Sequence, residues 1–324
     1  RAVLPASYRW ARRAIIMPNL ISPVVTREDA LSYLTRIKAC IEKTVDFEPM
    51  LTLYLTEETK AEDLVLAFHE KIIKAVKLYP AGATTNSHNG VKNITKIYPI
   101  LAAMSEEGIP LLIHGEVTDP SVDVFDREAV FIEKILVPMR LEYPDLNIVM
   151  EHITTKQSVD YILGENSKLA ATITPHHLIL NRNVIFEGGI RPHYYCLPVL
   201  KREIHRQALI DVVTKGHKKF FLGTDSAPHL DDAKIDKCGC AGIFNAPFTM
   251  EILAQFFDNH NALEKLENFT SFNGAEFYKL PHNKEKLSLI KSDEMIRMPE
   301  VLETREGPIT LFNPKMQIFW QIVN

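Results

Sequence analysis

Seven apolar, β-branched runs punctuate the chain, at 13–19 ("RAIIMPN"), 49–55 ("PMLTLYL"), 75–79 ("AVKLY"), 109–116 ("IPLLIHGE"), 146–153 ("LNIVMEHI"), 169–177 ("LAATITPHH") and 219–229 ("KFFLGTDSAPH"). Each is expected to form a strand. The segments between them carry helical spacing and stop signals. Thr26 and Asp29 form a capping-box pattern ahead of Leu31, Leu34, Ile37 and Ile41, which fall on one helical face. Thr59 and Glu62 repeat the pattern before Leu64, Phe68 and Ile72. Residues 92–107 run to Gly108 and residues 203–215 to Gly216, each a helix with a glycine stop. Strand and helix in alternation are the sequence form of a parallel sheet covered by helices.

The polar residues choose between two such folds. Asn19, Lys77, His114, Glu116, His152, His177, Asp225 and His229 lie within or just after the C-terminal ends of the runs. In a (β/α)8 TIM barrel those ends converge on one mouth, where catalytic groups sit. A doubly wound open sheet concentrates its chemistry at one switch point, and no G-x-G-x-x-G or Walker pattern marks a phosphate site. The α/β barrel is therefore expected, as a single domain over 1–324 with a charged C-terminal packing tail from about 282. It needs eight strands against the seven counted. Either the last 90 or so residues supply the eighth, or the first strand lies upstream of Arg1. The closing "MQIFWQIV" suits a terminal strand or packing arm better than a central barrel strand.

Composition narrows the class without changing the fold. Hydrophobic residues make up 46% and charged residues 24%, as in soluble globular chains. A net charge of −4 gives no electrostatic reason to expect nucleic acid or an anionic membrane as partner. No apolar stretch approaches the roughly 20 residues of a membrane span. Cys40, Cys196, Cys238 and Cys240 are too few and scattered for a disulfide scaffold, which favours a reducing compartment. Cys238-Gly239-Cys240 lacks a second pair at zinc-like spacing and is read as a tight loop.

Lys77 is the odd residue, a lysine inside an apolar run. It either snorkels its head to solvent or carries chemistry. An ammonium has three donors and no acceptor, so it cannot ligate a metal. Carbamylated by carbon dioxide, it becomes a carboxylate-like anion able to bridge two. His114 and His152 read singly as hydrogen-bonded core histidines or as ligands. Asp225 reads as a turn aspartate or as a carboxylate base beside a metal-activated water. Imidazoles and a carboxylate meeting at one mouth would form a divalent-metal set, with zinc first.

"AIIMPNL", "KLYPAGATTNS", "LLIHGEV", "FDREAVFIEKIL", "EHITTK", "GGIRPHYYCLPVLKR", "FLGTDSAPH" and "CGCAGIFNAP", in that order, resemble the shorter, bacterial-type dihydroorotases of the amidohydrolase superfamily. The match runs from near Arg1 to about residue 280. The resemblance implies two Zn2+ bridged by N-carboxylated Lys77, with His114, His152 and Asp225 as further ligands and Asp225 also as general base. It implies that Asn19, His229 and the backbone at Leu197 and Ala241 hold the substrate, and that Thr84 and Thr85 belong to a lid loop. It gives His176 and His177 no ligand role, leaving them to strand-end packing or solvation. The implied reaction is the reversible cyclisation of N-carbamoyl-L-aspartate to L-dihydroorotate in pyrimidine biosynthesis. The family's His-x-His pair and arginine, carried by its first strand, find no counterpart in the chain and are expected upstream of Arg1. A protein starting at Arg1 is expected to bind metal poorly and turn over little.

Two other readings stand beside this one: another cyclic-amide hydrolase of hydantoinase or allantoinase type, and a non-catalytic dihydroorotase-like assembly partner. An apolar helical face and the basic stretch from Lys215 to Lys219 permit a homodimer, the assembly expected. Cytoplasm is the default location, with organellar targeting left open.

Overall fold

The computed structural model describes residues 1–237 and 239–323, so Cys238 of the expected tight loop lies outside the described residues. All seven runs contain strands: β1 (Arg13–Ile16), β2 (Glu48–Tyr54), β3 (Ile73–Leu78), β4 (Leu111–His114), β5 (Ile148–Glu151), β6 (Leu169–Ile173) and β7 (Phe220–Leu222). Helices alternate with them, including Arg27–Lys38, Ala61–His69, Tyr98–Glu107, Lys156–Gly164 and Glu203–Thr214. This is the alternation of a (β/α) barrel. No helix among the described residues is long and apolar enough to cross a membrane.

Contacts gather the chain into two compact units. The first comprises Arg1, 11–151 and 164–170 and carries β1 to β5; the second comprises 2–10, 152–163 and 171–324 and carries most of β6 with β7. Within the first, β1 to β5 pair in parallel in chain order, with Ile16 opposite Leu51, Tyr54 opposite Lys77, Lys77 opposite Leu112 and His114 opposite Glu151. Every residue of β4 is buried, as strands covered on both faces require. In the second, β6 pairs in parallel with β7 from Ala171 opposite Phe220 to Ile173 opposite Leu222.

Local signals explain several boundaries. The Thr26 capping box forms: the Asp29 N–H donates to Thr26 Oγ1 at 3.1 Å and the Thr26 N–H to Asp29 Oδ2 at 3.0 Å. Its helix buries Ala30 and Ile37, whereas Leu31, expected on the apolar face, is turned outward and 39% exposed. The second expected box does not form. The helix 61–69 starts one residue later than the pattern implied, with Lys60 at its cap, and Thr59 Oγ1 instead accepts the Thr56 N–H at 3.0 Å. Gly108 takes the left-handed conformation that closes its helix, at φ 70°. The run 169–177 divides: β6 stops at Ile173, and extended Thr174 caps a short helix, Pro175–Ile179, by accepting the His177 N–H. Proline at the first helical position fits that start.

The tail supplies no parallel strand among the described residues. Its four strands form two antiparallel pairs, β8 (Ser288–Lys291) with β11 (Trp320–Val323) and β9 (Val301–Glu303) with β10 (Pro308–Thr310). Phe312 and Ile318 reach from it into an apolar cluster with Leu180, Cys196, Leu200, Ile243 and Ile252 in the second unit.

Candidate active site

In the first unit the register of β2, β3 and β4 aims the candidate ligands. Residues paired across parallel strands point to the same face, and faces alternate along each strand. Lys77 pairs with Tyr54 and Leu112, so Tyr54, Lys77 and His114, two residues beyond Leu112, share one face. Lys77 Nζ lies 5.1 Å from the Tyr79 ring centre, and that ring stands 6.3 Å from His114. Lys77 is 1% exposed, which excludes a head group snorkelling to solvent. His114 Nε2 meets Glu116 Oε2 at 2.9 Å, both side chains buried. A carboxylate oxygen accepts, so Nε2 is the donor in this pair and the carboxylate orients the ring. Glu116 Oε1 has no hydrogen-bond partner among the described residues.

The loop after β3 is tied to the end of β1. Asn19 Nδ2 donates to the Thr85 carbonyl at 3.2 Å, and Asn86 Nδ2 to the Asn19 carbonyl at 3.0 Å. Within the loop, Ser87 Oγ donates to the Thr84 carbonyl at 2.6 Å and accepts the Thr84 N–H at 2.8 Å. The expected substrate residue Asn19 and the expected lid residues Thr84 and Thr85 thus form one hydrogen-bonded patch.

In the second unit the candidates sit on turns. His152 and Asp225 have φ of 45° and 42°, left-handed conformations that histidine and aspartate enter more readily than most residues. The His152 N–H donates to Thr172 Oγ1 at 2.7 Å, and the next amide, of Ile153, to the Thr172 carbonyl at 3.0 Å. Gly223 presses on the same threonine: a Cβ there would lie 2.5 Å from Thr172 Cβ. Asn245 Nδ2 holds the Thr224 carbonyl at 2.7 Å, fixing the peptide that leads into Asp225. Beyond it Ser226 bridges to Ile243, and His229 Nε2 donates to the Ala241 carbonyl at 3.1 Å. The Gly242 N–H reaches the Tyr195 carbonyl at 3.0 Å, bringing the Ala241 turn to the segment that carries Leu197.

His176 and His177 are buried, so packing and not solvation accounts for them. With Cys196 they bring three donor atoms within 4.8 Å of one another. His177 is already bonded on both nitrogens, to Thr174 Oγ1 at 2.7 Å and to the Pro198 carbonyl at 3.0 Å, and His176 Nδ1 accepts from Asn245. Burial pushes the His177 imidazole down to about 3 and His176 well below its ordinary value, so both rings are neutral near pH 7.

A family model described as the amidohydrolase family matches residues 4–292. The dihydroorotase of Jannaschia sp. (strain CCS1) is 53% identical over 322 residues, 99% of this chain and 93% of that protein. The chain belongs to the dihydroorotases of the amidohydrolase family. The crystal structure of dihydroorotase from Campylobacter jejuni superposes with a TM-score of 0.88 at 37% identity, covering 100% of this chain and 91% of that one. An L-hydantoinase from Arthrobacter aurescens shares the fold, with a TM-score of 0.80 over 100% of this chain and 78% of its own, but at 14% identity. Membership favours dihydroorotase over the hydantoinase-like and non-catalytic readings and makes the chain a metal-dependent cyclic amidohydrolase.

The donor chemistry fits such a metal. His114 presents a ring oriented by a buried carboxylate, the arrangement that fixes a ligating imidazole. Three residues with a place in this architecture escaped the sequence as site residues. Glu116 was visible as a strand-end polar residue but had no role until its distance to His114 was known. Thr172 and Asn245 act on the two turns through hydrogen bonds to backbone groups distant in sequence, for which no spacing rule exists.

Proposed function

We propose that carboxylated Lys77, His114, His152 and Asp225 are among the ligands of two zinc ions, and that the natural protein uses them to interconvert N-carbamoyl-L-aspartate and L-dihydroorotate. The observation that carries the ligand set is the burial of Lys77 to 1% exposure on the face it shares with His114. An ammonium so placed is costly, whereas a carbamate offers two oxygens to cations. Its formation from the ammonium releases two protons, one to give the neutral amine and one as the lysine nitrogen joins carbon dioxide. Bound divalent metal supplies polarisation of the ring amide carbonyl and a lowered pKa for the attacking water.

The chain's own residues do the rest. Asp225 takes the proton of the water that adds to the carbonyl carbon and returns it to the ring nitrogen as the carbon–nitrogen bond breaks. In the synthetic direction the same proton moves the opposite way. Asn19, His229 and the backbone at Leu197 and Ala241 bind and orient the substrate carboxylate and ring, while the loop carrying Thr84 and Thr85 covers it and excludes water. Support for this assignment comes from the bonds joining Asn19 to the loop and His229 to Ala241.

The test pairs metal analysis with turnover. The natural protein is expected to hold two zinc ions per chain and to hydrolyse dihydroorotate in preference to hydantoins, and Lys77→Ala in that protein to lose both zinc and activity. Full zinc occupancy in Lys77→Ala, or wild-type turnover confined to hydantoins, would overturn the proposal.

A further inference from the structure

Lys234 is another buried lysine, 5% exposed, on the short helix Asp231–Ile235. Its ammonium spends all three donors on main-chain carbonyls: Gly242 at 2.7 Å, Cys240 at 2.8 Å and Tyr195 at 2.9 Å. Two of these carbonyls bracket Ala241, and the third lies two residues before Leu197. A single cation therefore ties together the two backbone segments to which substrate binding is assigned.

Peptide planarity gives the arrangement a direction. In a trans peptide the N–H points opposite to the carbonyl of the same unit. With the Cys240 carbonyl drawn to Nζ, the Ala241 N–H is turned away from Lys234; the Ala241 carbonyl is meanwhile occupied by His229. Both polar groups of Ala241 are thus fixed by neighbours. Gly242, at φ 154°, permits the close approach, since a Cβ there would meet the Ala227 carbonyl oxygen at 2.5 Å and His229 Cδ2 at 2.9 Å. A charge-assisted bond is roughly twice as strong as a neutral one, so an ammonium holds three converging carbonyls more firmly than a neutral side chain could.

We propose that Lys234 is a positioning residue that presets the backbone at Leu197 and Ala241 to receive the carboxylate-bearing ring substrate. This rests on the assignment of those two positions to substrate binding. It does not touch substrate or metal, so its removal weakens binding while leaving the bond-breaking step largely alone.

The test compares wild type with Lys234→Met in three readouts: steady-state kinetics with dihydroorotate, zinc content, and amide hydrogen exchange over 194–200 and 239–246 with and without dihydroorotate. Lys234→Met is expected to raise KM about ten-fold or more, a loss near 1.4 kcal/mol. Its kcat should stay within about three-fold of wild type, with zinc unchanged and the substrate-induced protection of both segments lost. Should the methionine variant fail to fold, Lys234→Arg carries the same test, because a planar fork cannot direct three donors to three carbonyls converging on one point. An unchanged KM, or protection retained in the variant, overturns the role of Lys234 while leaving the substrate assignment standing. Absence of protection in wild type overturns the substrate assignment itself, and the proposal with it.

Discussion

The four proposed metal ligands divide into two kinds. Lys77 and His114 lie on regular parallel strands, where pairing register alone aims them at one face. His152 and Asp225 sit just past strand ends with positive φ, where no register operates. The first kind costs little, because a strand residue must point to one face or the other. The second kind stores strain, about 1–3 kcal/mol per residue in such conformations, and survives only where neighbours over-determine the turn. Those neighbours are Thr172, pressed by Gly223, for His152, and Asn245 for the peptide before Asp225. The contrast teaches that a strand ligand is protected by the sheet, whereas a turn ligand depends on a few specific side chains.

The largest expected effect lies on the turn side. Asp225→Asn should lower kcat for dihydroorotate by about 10²–10⁴-fold, the usual contribution of a positioned general base. Asparagine tolerates the same left-handed backbone, so the melting temperature should barely move. A kcat within ten-fold of wild type would remove Asp225 from proton transfer. On the strand side, Glu116→Gln should weaken zinc binding by about 10–100-fold, read by chelator competition, because His114 loses its orienting carboxylate. Unaltered affinity would mean that strand geometry alone aims the ring. Next comes Gly223→Ala. Its new Cβ would fall 2.5 Å from a side-chain carbon that cannot swing aside, so a destabilisation of about 3 kcal/mol is expected in urea unfolding. A loss below about 1 kcal/mol would show that the Thr172 contact yields easily.

The same division explains what the sequence disclosed. The seven parallel strands and the Thr26 helix start were legible because periodicity, β-branching and capping chemistry are local. Lys77 was conspicuous because a lysine in an apolar run conflicts with its surroundings, and His114 because it ends such a run. The run 169–177 misled, since Thr174 and Pro175 start a helix that apolar content alone cannot distinguish from strand. The Thr59 pattern misled likewise: Thr59 found a partner in Thr56, Lys60 became the cap, and the helix began at Ala61. What could not be read were bonds joining distant segments. Glu116 to His114 spans two residues, but Asn245 to Thr224 spans 21 and Lys234 to Tyr195 spans 39. Those distances in sequence follow from the fold, and no one-dimensional pattern encodes them.

The smallest effect tests the turn side most narrowly. Thr172→Val keeps the shape of the side chain and deletes the oxygen that accepts the His152 N–H, leaving a buried donor unsatisfied. The expected loss is about 1–2 kcal/mol in unfolding free energy, the ordinary penalty for such a group. Thr172→Ser is the counterpart: it keeps the acceptor and removes one methyl, which costs about 0.8 kcal/mol of burial. If the oxygen holds the turn, the valine variant also loses zinc affinity while the serine variant does not. If both lose stability but neither loses zinc, packing between Thr172 and Gly223 holds His152 in place, and the left-handed turn is maintained by shape and not by the hydrogen bond.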